Sequence, residues 1–188
     1  MKPLALLEIL KVAEKLKCNT RHSWTSSGRQ ESVAEHSWRI ALMALLMRDE
    51  FPEVNMDKVI HMCLIHDLGE AITGDIPSFE KKEEDDKKED EAFIQWVSTF
   101  PEPYCSEFME LLEEMNSLET EEAKLYKALD NIEVVIQHNE ADISTWIPLE
   151  YELQLTYGSE RVGFSKYITE LREEIKRISI NKIEESKK

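Results

Sequence analysis

Glycine, proline and cysteine are scarce in this chain of 188 residues, which contains only 5, 6 and 3 of them. So few glycines and prolines exclude a collagen-like chain and a chain made largely of linkers. The cysteines, Cys18, Cys63 and Cys105, form no Cys-x-x-Cys pair and no even-numbered set, which argues against a disulfide framework. We therefore expect reduced thiols that mostly pack against other side chains.

Long apolar runs are missing as well. No stretch of about 18 consecutive apolar residues occurs, so the sequence contains no candidate transmembrane helix. The apolar stretch at the N-terminus is interrupted at Glu8, which makes it too short for the hydrophobic region of a secretory signal. The sequence therefore predicts a cytoplasmic protein without a membrane partner.

Positive charge is in short supply, because 23 lysines and arginines stand against 39 aspartates and glutamates, for a formal net charge of −16. This balance argues against nucleic acid as a partner, since binding to phosphates requires clustered positive charge. It argues equally against docking on an anionic membrane surface. Most of the excess of acidic over basic residues lies in residues 80–122, which hold 16 acidic and 4 basic side chains.

Apolar side chains are plentiful enough for one core, since 41% of the residues are hydrophobic. A chain of this length most often forms one domain. We predict a single domain over residues 1–180 and a C-terminal tail over 181–188, whose final lysines fray into solvent. Within the domain, residues 80–122 are predicted to form an acidic helical segment, whose charged run at 80–91 is typical of a solvated helix or a mobile loop.

The spacing of the apolar residues is helical along almost the whole chain, at three and four rather than two, which predicts an all-α fold and no strand. Ser32 and Glu35 match a capping box at the start of one helix. Asn55 is positioned to cap the next helix, which we expect to end near Gly69. Further helices are predicted at 82–99, 104–116, 119–140, 148–157 and 161–180.

One segment combines histidine with acids at helical spacing. His66 and Asp67 are adjacent, and Glu70 follows within one turn on their side of a helix. An imidazole nitrogen with carboxylate oxygens is the donor type that borderline and harder divalent metals prefer. Such an ion makes water nucleophilic near neutral pH, and Glu70 is placed to orient or deprotonate that water.

Two donors hold a metal weakly, so this interpretation requires further ligands. His36 lies one turn into its own predicted helix, and Asp130 lies in a strongly apolar helix. A carboxylate in such a helix needs a partner, because a buried unpaired charge is costly. His61 and His138 fall outside this pattern, and we predict packing or surface roles for both.

The order of these motifs along the chain is more specific than any of them alone. The motifs are Glu35-His36-Ser37, His66-Asp67-Leu68-Gly69-Glu70, Thr73-Gly74-Asp75-Ile76-Pro77 and Asp130. Together they resemble the H...HD...D pattern of the HD-domain metal-dependent phosphohydrolases, whose fold is an all-α helical bundle. Within that superfamily the chain is most similar to the 5′-deoxynucleotidase group, over residues 21–139.

The resemblance implies a metal centre and the residues that form it. The ligands would be His36, His66, Asp67 and Asp130. They would hold one divalent ion, with cobalt, manganese or iron favoured over zinc and magnesium. The resemblance assigns Glu70 to the polarisation of the attacking water.

Two further residues are implied in substrate binding and catalysis. Asp75 matches an acid near the sugar or the reacting water, and Arg21 matches the arginine that binds the phosphate through its guanidinium group. The chain departs from the family pattern at the next position. His22 stands where the characterised deoxynucleotidases have an aromatic residue that helps to exclude the ribose 2′-hydroxyl, so the sequence does not predict a preference for deoxyribose.

The sequence thus predicts an enzyme, a metal-dependent phosphomonoesterase that removes the 5′-phosphate from ribo- or deoxyribonucleoside monophosphates. The resemblance also implies a homodimer. Three alternatives stay open. The first is an HD phosphohydrolase that acts on a nucleoside triphosphate, a cyclic nucleotide or a signalling nucleotide, and the second is a non-catalytic sensor of nucleotide or metal. The third is a helical interaction protein that binds no metal, which the complete set of motifs disfavours most.

Overall fold

Helices make up nearly all of the regular structure in a computed structural model that describes residues 1–188. The predicted all-α fold class is thus confirmed. The bounds of the elements are α1 (Pro3–Ala13), β1 (Thr20–Trp24), β2 (Gln30–Ser32), α2 (Val33–Leu46), α3 (Met56–Ile65), α4 (Glu70–Thr73), α5 (Glu83–Val97), α6 (Tyr104–Ser117), α7 (Glu121–Glu140), α8 (Glu150–Thr156) and α9 (Lys166–Glu185). None of these helices combines the length and the apolar character needed to cross a lipid bilayer.

A small antiparallel hairpin is the element that the apolar periodicity does not predict. β1 pairs with β2, with Trp24 opposite Gln30, and Gly28 lies in the turn with φ of +82°. The two strands are short and largely polar, so they carry no alternation of apolar and polar side chains. The expectation of no strand is therefore wrong for these residues. Gln137 of α7 holds the hairpin by donating a hydrogen bond from Nε2 to the carbonyl oxygen of Trp24 at 2.6 Å.

The predicted starts of α2 and α3 are confirmed by their capping hydrogen bonds. At α2, Ser32 Oγ accepts a hydrogen bond from Glu35 N–H at 3.3 Å, and Glu35 Oε2 accepts one from Ser32 N–H at 2.9 Å. This reciprocal pair is a capping box. At α3, Asn55 Oδ1 accepts a hydrogen bond from Lys58 N–H at 3.2 Å.

Helix α3 ends earlier than the sequence predicts. Its last residue is Ile65, four residues before Gly69. The chain then tightens, since Leu68 N–H donates to Ile65 O at 3.0 Å, and α4 begins directly after the glycine. A side chain at Gly69 would not fit, because a Cβ there would lie 2.6 Å from the carbonyl oxygen of Glu89 on α5. The glycine therefore permits a close approach of α5 rather than ending α3.

The apolar core lies where α2, α3 and α7 meet, and α5, α6 and α9 pack around them. Helix α7 supplies its centre with fully buried side chains at Leu125, Ala128, Leu129, Ile132 and Val135. Helix α5 is divided along its length. Its first turns expose their charges, whereas Phe93, Trp96 and Val97 are buried in the core.

The C-terminal helix α9 holds the short helix α8 in place. Arg172 of α9 is 1% exposed and donates hydrogen bonds to the carbonyl oxygens of Tyr157 and Gln154, both at 3.1 Å. These carbonyls lie at the C-terminal end of α8, where a helix has no backbone partners for them. Helix α9 continues to Glu185, and the predicted division of the chain at residue 180 stays a prediction.

Candidate active site

Four side chains from three parts of the chain converge between α2, α3 and α7, and we call them the donor centre. They are His36, His66, Asp67 and Asp130. Asp130 Oδ1 lies 3.1 Å from His36 Nε2 and 3.7 Å from His66 Nε2. His66 Nε2 also lies 3.1 Å from Asp67 Oδ2. The structure therefore brings together all four residues that the sequence predicts as metal ligands.

The local structure explains how each member reaches the donor centre. His36 stands one turn into α2, behind the capping box, and is fully buried. His66 and Asp67 occupy the turn that follows α3. Asp130 lies midway along α7 and is 9% exposed, which confirms that a carboxylate in this apolar helix faces a covered side with partners.

The atoms of the donor centre that point away from it have protein partners of their own. His36 Nδ1 lies 2.6 Å from Glu133 Oε2, and His66 Nδ1 lies 3.0 Å from the carbonyl oxygen of Cys63. Lys127 Nζ donates to the second carboxylate oxygen of Asp130 at 2.8 Å. Such outer contacts set the ring orientation of metal-binding histidines and leave Nε2 free to bind an ion.

The donor centre fits a divalent cation. Two imidazole nitrogens and two carboxylate oxygens suit borderline to hard divalent metals. Ligands bound at about 2.0–2.2 Å on adjacent sides of one ion lie about 3 Å apart, close to the 3.1 Å spacings observed. In addition, His66 Nε2 is buried and forms no hydrogen bond, although Asp67 Oδ2 lies 3.1 Å away, and such an atom is costly unless a ligand satisfies it.

The surroundings of His36 favour positive charge. Burial and the nearby Arg21 both lower the pKa of His36, but the carboxylates of Glu133 and Asp130 outweigh them and raise that pKa to about 9. The two carboxylates around this buried imidazole therefore make the position one where the protein stabilises positive charge.

Arg21 of β1 points at the donor centre. Its Nη1 lies 3.3 Å from Asp67 Oδ2 and 3.8 Å from Asp75 Oδ1, and its Nε lies 3.6 Å from Glu31 Oε2. The side chain is 13% exposed, so these acids hold the guanidinium group at the edge of the cleft rather than in bulk water. A guanidinium group in this position can bind an anion that approaches the donor centre.

Glu70 and Asp75 line the same cleft. Glu70 is 3% exposed, and its Oε2 has no hydrogen-bond partner. Burial raises the pKa of Glu70 well above the usual carboxyl range, and the carboxylates of Asp67 and Glu89 raise it further. Burial also raises the pKa of Asp75 against the opposing effect of Arg21. Both predicted catalytic acids therefore lie beside the donor centre.

The cleft encloses about 320 Å³, within the usual range for a small-molecule site. Its lining includes Asp67 and Asp130 of the donor centre together with Arg21, Glu70 and Asp75. It also includes His22 of β1, His138 of α7, and Glu150 and Gln154 of α8. His138 is buried, which agrees with the predicted packing role, and it also lines the cleft. His61 is exposed, as predicted.

Sequence reasoning missed several residues that support the donor centre. Glu133 and Lys127 lie three residues on either side of Asp130, so their place on its face of α7 was readable from helical spacing. Glu89, whose carboxylate lies near those of Asp67 and Glu70, sits in the charged run at 80–91, where nothing distinguishes it from its neighbours. Only the fold of α5 over Gly69 brings it to the cleft.

Comparisons with known proteins agree with this geometry. The family model described as an HD domain matches residues 13–172. The chain is similar to the 5′-deoxynucleotidase HDDC2 of Mus musculus, with 37% identity over 139 residues that cover 72% of this chain and 69% of that protein. It is similar to the 5′-deoxynucleotidase HDDC2 of Homo sapiens, with 36% identity over 72% of this chain and 68% of that protein.

Solved structures show the same fold. A predicted metal-dependent phosphohydrolase from Magnetospirillum magnetotacticum superimposes with a TM-score of 0.83, at 26% identity, over 95% of this chain and 93% of that one. A conserved hypothetical protein from Pyrococcus furiosus has a TM-score of 0.68 at 30% identity, over 91% of this chain and 99% of that one.

Proposed function

This chain belongs to the HD-domain family of metal-dependent phosphohydrolases, and from that membership we propose that it removes the 5′-phosphate from nucleoside monophosphates. The relatives named 5′-deoxynucleotidase support deoxyribonucleoside 5′-monophosphates as substrates. The products are a nucleoside and inorganic phosphate.

The donor centre is the proposed metal site. His36, His66, Asp67 and Asp130 would hold one divalent ion through the four atoms that meet between α2, α3 and α7. Cobalt, manganese and iron suit this mixture of nitrogen and oxygen donors better than magnesium, which prefers oxygen ligands alone. The bound ion supplies Lewis acidity, which makes water nucleophilic near neutral pH and offsets charge on a phosphoryl oxygen.

Glu70 is the proposed partner of the attacking water. Its buried Oε2 has no hydrogen bond within the protein and lines the cleft next to Asp67. A carboxylate oxygen in that position accepts a hydrogen bond from the water, orients it towards phosphorus and receives its proton.

Arg21 is the proposed phosphate-binding residue. Its guanidinium group already faces two carboxylates, Asp67 and Asp75. A phosphate dianion gives Arg21 two oxygens in the plane of its fork, which is stronger than the single long contacts it makes to these acids. Asp75 holds the other side of Arg21 and borders the space that the sugar would occupy.

We propose further that the enzyme is a cytoplasmic homodimer whose phosphohydrolase domain spans residues 1–180. An exposed apolar face on α1 supports the dimer. Leu4, Leu7 and Leu10 are 69%, 61% and 52% exposed, and they recur on one side of the helix. Light scattering coupled to size exclusion tests this, with twice the chain mass expected, and a monomer at micromolar concentration would contradict it.

The observation that carries the proposed function is the convergence of two histidines and two aspartates beside Arg21 and Glu70. The test is phosphate release from a panel of nucleoside 5′-monophosphates, triphosphates and cyclic nucleotides, each with Mn²⁺, Co²⁺, Mg²⁺ and Zn²⁺ in turn. We expect release from 5′-monophosphates, fastest with Mn²⁺ or Co²⁺. Release from triphosphates alone, or from none of the panel with any metal, would contradict the proposal.

A further inference from the structure

The cleft is also lined by a second polar group, which we call the sugar wall. It consists of His22, His138, Glu150 and Gln154. Glu150 Oε1 lies 3.1 Å from His22 Nε2 and 3.4 Å from His138 Nε2. Residues from β1, α7 and α8, far apart in the sequence, thus meet around one carboxylate.

Several buried polar atoms of the sugar wall have no hydrogen bond, although Glu150 Oε1 and His22 Nε2 lie close to each other. Glu150, Gln154 and His138 are 2%, 3% and 6% exposed. Glu150 Oε1, Gln154 Oε1 and His138 Nδ1 have no hydrogen-bond partner, and neither has His22 Nε2. Most buried polar atoms in native proteins are satisfied, so a group of them lining a cleft indicates that a ligand completes their bonding.

The protein holds the sugar wall rigidly despite these unused atoms. Glu150 Oε2 accepts a hydrogen bond from Ile147 N–H at 2.7 Å, which fixes the carboxylate. The His22 ring packs edge-on against Phe79, with 5.4 Å between ring centroids. Arg172 anchors the end of α8 through the carbonyl oxygen of Gln154. The wall is therefore a built site rather than a set of mobile surface groups.

The location of the wall matches the part of a nucleotide next to its phosphate. His22 follows Arg21 on β1, one strand step of about 3.3 Å further along. On α7, His138 lies about 12 Å beyond Asp130 along the helix axis. A phosphate bound between Arg21 and the donor centre would therefore direct its sugar towards the wall.

We propose that the sugar wall binds the hydroxyl edge of the nucleotide sugar, through Glu150 as acceptor and the two imidazoles as donor or acceptor. This inference rests on the proposed function and deepens it. A hydroxyl group donates one hydrogen bond and accepts two, so it can bridge the carboxylate and an imidazole nitrogen at once. The 3′-hydroxyl is present in both ribo- and deoxyribonucleotides, and a ribose adds the 2′-hydroxyl on the same edge.

The test compares three substrates that differ only in their sugar hydroxyls, namely AMP, dAMP and 2′,3′-dideoxy-AMP, with Mn²⁺ present. For the unmodified protein, kcat/KM for dAMP should exceed that for dideoxy-AMP by at least about tenfold, because the dideoxy sugar leaves the wall unpaired. In Glu150→Gln the ratio should fall to about threefold or less. Glu152→Gln makes the same change on the exposed side of α8 and should keep the original ratio.

Two further measurements separate a role in sugar binding from a loss of folding or of turnover in Glu150→Gln. His22→Ala alters a partly exposed member of the wall and should lower the same ratio if Glu150→Gln does not fold. With EDTA present, deoxyadenosine should raise the thermal midpoint of the unmodified protein more than dideoxyadenosine does, and this difference should disappear in Glu150→Gln. If Glu150→Gln lowers kcat/KM for AMP more than kcat/KM for dAMP, the 2′-hydroxyl also contacts the wall.

Equal efficiency with dAMP and dideoxy-AMP in the unmodified protein would overturn the inference while leaving the proposed function intact. The same holds if Glu150→Gln changes the preference between dAMP and dTMP but not the sugar ratio, since the wall would then contact the base. No phosphate release from dAMP would instead contradict the proposed function, and the binding comparison in EDTA would still decide the inference.

Discussion

At the donor centre, both imidazoles have a protein partner on the nitrogen that faces away from the cleft, Glu133 for His36 and Cys63 O for His66. At the sugar wall, His138 Nδ1 has no hydrogen-bond partner, and His22 Nε2 lies 3.1 Å from Glu150 Oε1 without forming a hydrogen bond. Both groups border one cleft, and both combine imidazoles with carboxylates. They differ in their imidazole nitrogens: the protein completes the hydrogen bonds of the outward nitrogens at the donor centre, whereas the sugar wall leaves nitrogens for a ligand to satisfy.

This difference indicates separate tasks for the donor centre and the sugar wall. A metal ion demands fixed ligand orientation, which the outer contacts of the donor centre provide before any ion binds. A substrate that enters and leaves on every turnover needs atoms that are satisfied only while it is bound. Changes at the donor centre should therefore affect metal retention, whereas changes at the wall should affect the choice of substrate.

The largest expected effect follows from the removal of one donor. Asp67→Ala deletes an oxygen at 3.1 Å from His66 Nε2 and a carboxylate that faces Arg21. We expect loss of bound metal and a fall in phosphate release of at least about 10³-fold. The exposed Asp57 of α3 provides the control, since Asp57→Ala should retain both properties. Full metal content with full activity in Asp67→Ala would contradict the assignment.

Removal of an outer contact should have a smaller effect. Glu133→Gln keeps the shape of the side chain but weakens its contact with His36 Nδ1 at 2.6 Å. We expect metal affinity to fall by about 10- to 100-fold without loss of the fold. Isothermal titration with Mn²⁺ measures this, and Glu121→Gln at the exposed start of α7 is the matched control. Unchanged affinity in Glu133→Gln would show that the fold alone orients His36.

A substitution of Arg172 tests whether its hydrogen bonds to the end of α8 hold the sugar wall in place. Arg172→Met removes the donor to the carbonyl oxygens of Tyr157 and Gln154. Loss of these buried hydrogen bonds should lower the free energy of unfolding by about 1–3 kcal/mol and weaken discrimination against the dideoxy sugar. Arg177→Met on the exposed side of α9 should change stability by less than about 0.5 kcal/mol. Denaturant unfolding compares the two, and equal effects would contradict this role for Arg172.

The smallest effect is expected at the helix cap of α2. Ser32→Ala removes the oxygen that accepts the Glu35 N–H and should lower the free energy of unfolding by about 1 kcal/mol. Because packing against α3 and α7 holds His36, metal content and phosphate release should stay within about twofold of the original. A large loss of bound metal would instead show that the cap itself positions His36.

The sequence predicted the donor centre better than the remainder of the cleft, for a physical reason. His66 and Asp67 stand out as adjacent metal-binding residue types, and Asp130 stands out because a carboxylate in an apolar helix needs a partner. The resemblance of the ordered motifs to the HD pattern then joins them to His36. The residues of the sugar wall lack such a signal. His22, His138 and Glu150 are separated by long stretches of chain, and only the packing of β1 and α8 against α7 brings them together.

The helices were predictable because apolar spacing is a local pattern, whereas the hairpin depends on contacts between distant residues. Apolar spacing identifies α2 and α7, whose buried faces repeat every three to four residues. The strand β1 is held by the hydrogen bond from Gln137 and by pairing with β2, which are contacts between distant residues. The end of α3 depends likewise on the approach of Glu89 to Gly69, which no local pattern encodes.

The most direct test of the central claim is the metal content of the purified protein, measured together with its phosphate release before and after chelation. Four donors around one point predict one divalent ion per chain by elemental analysis. Release from dAMP should disappear in EDTA and return when Mn²⁺ is added to the stripped protein. Full turnover by protein that retains no metal, or one ion per chain in Asp67→Ala, would contradict the claim that the donor centre holds the ion on which the reaction depends.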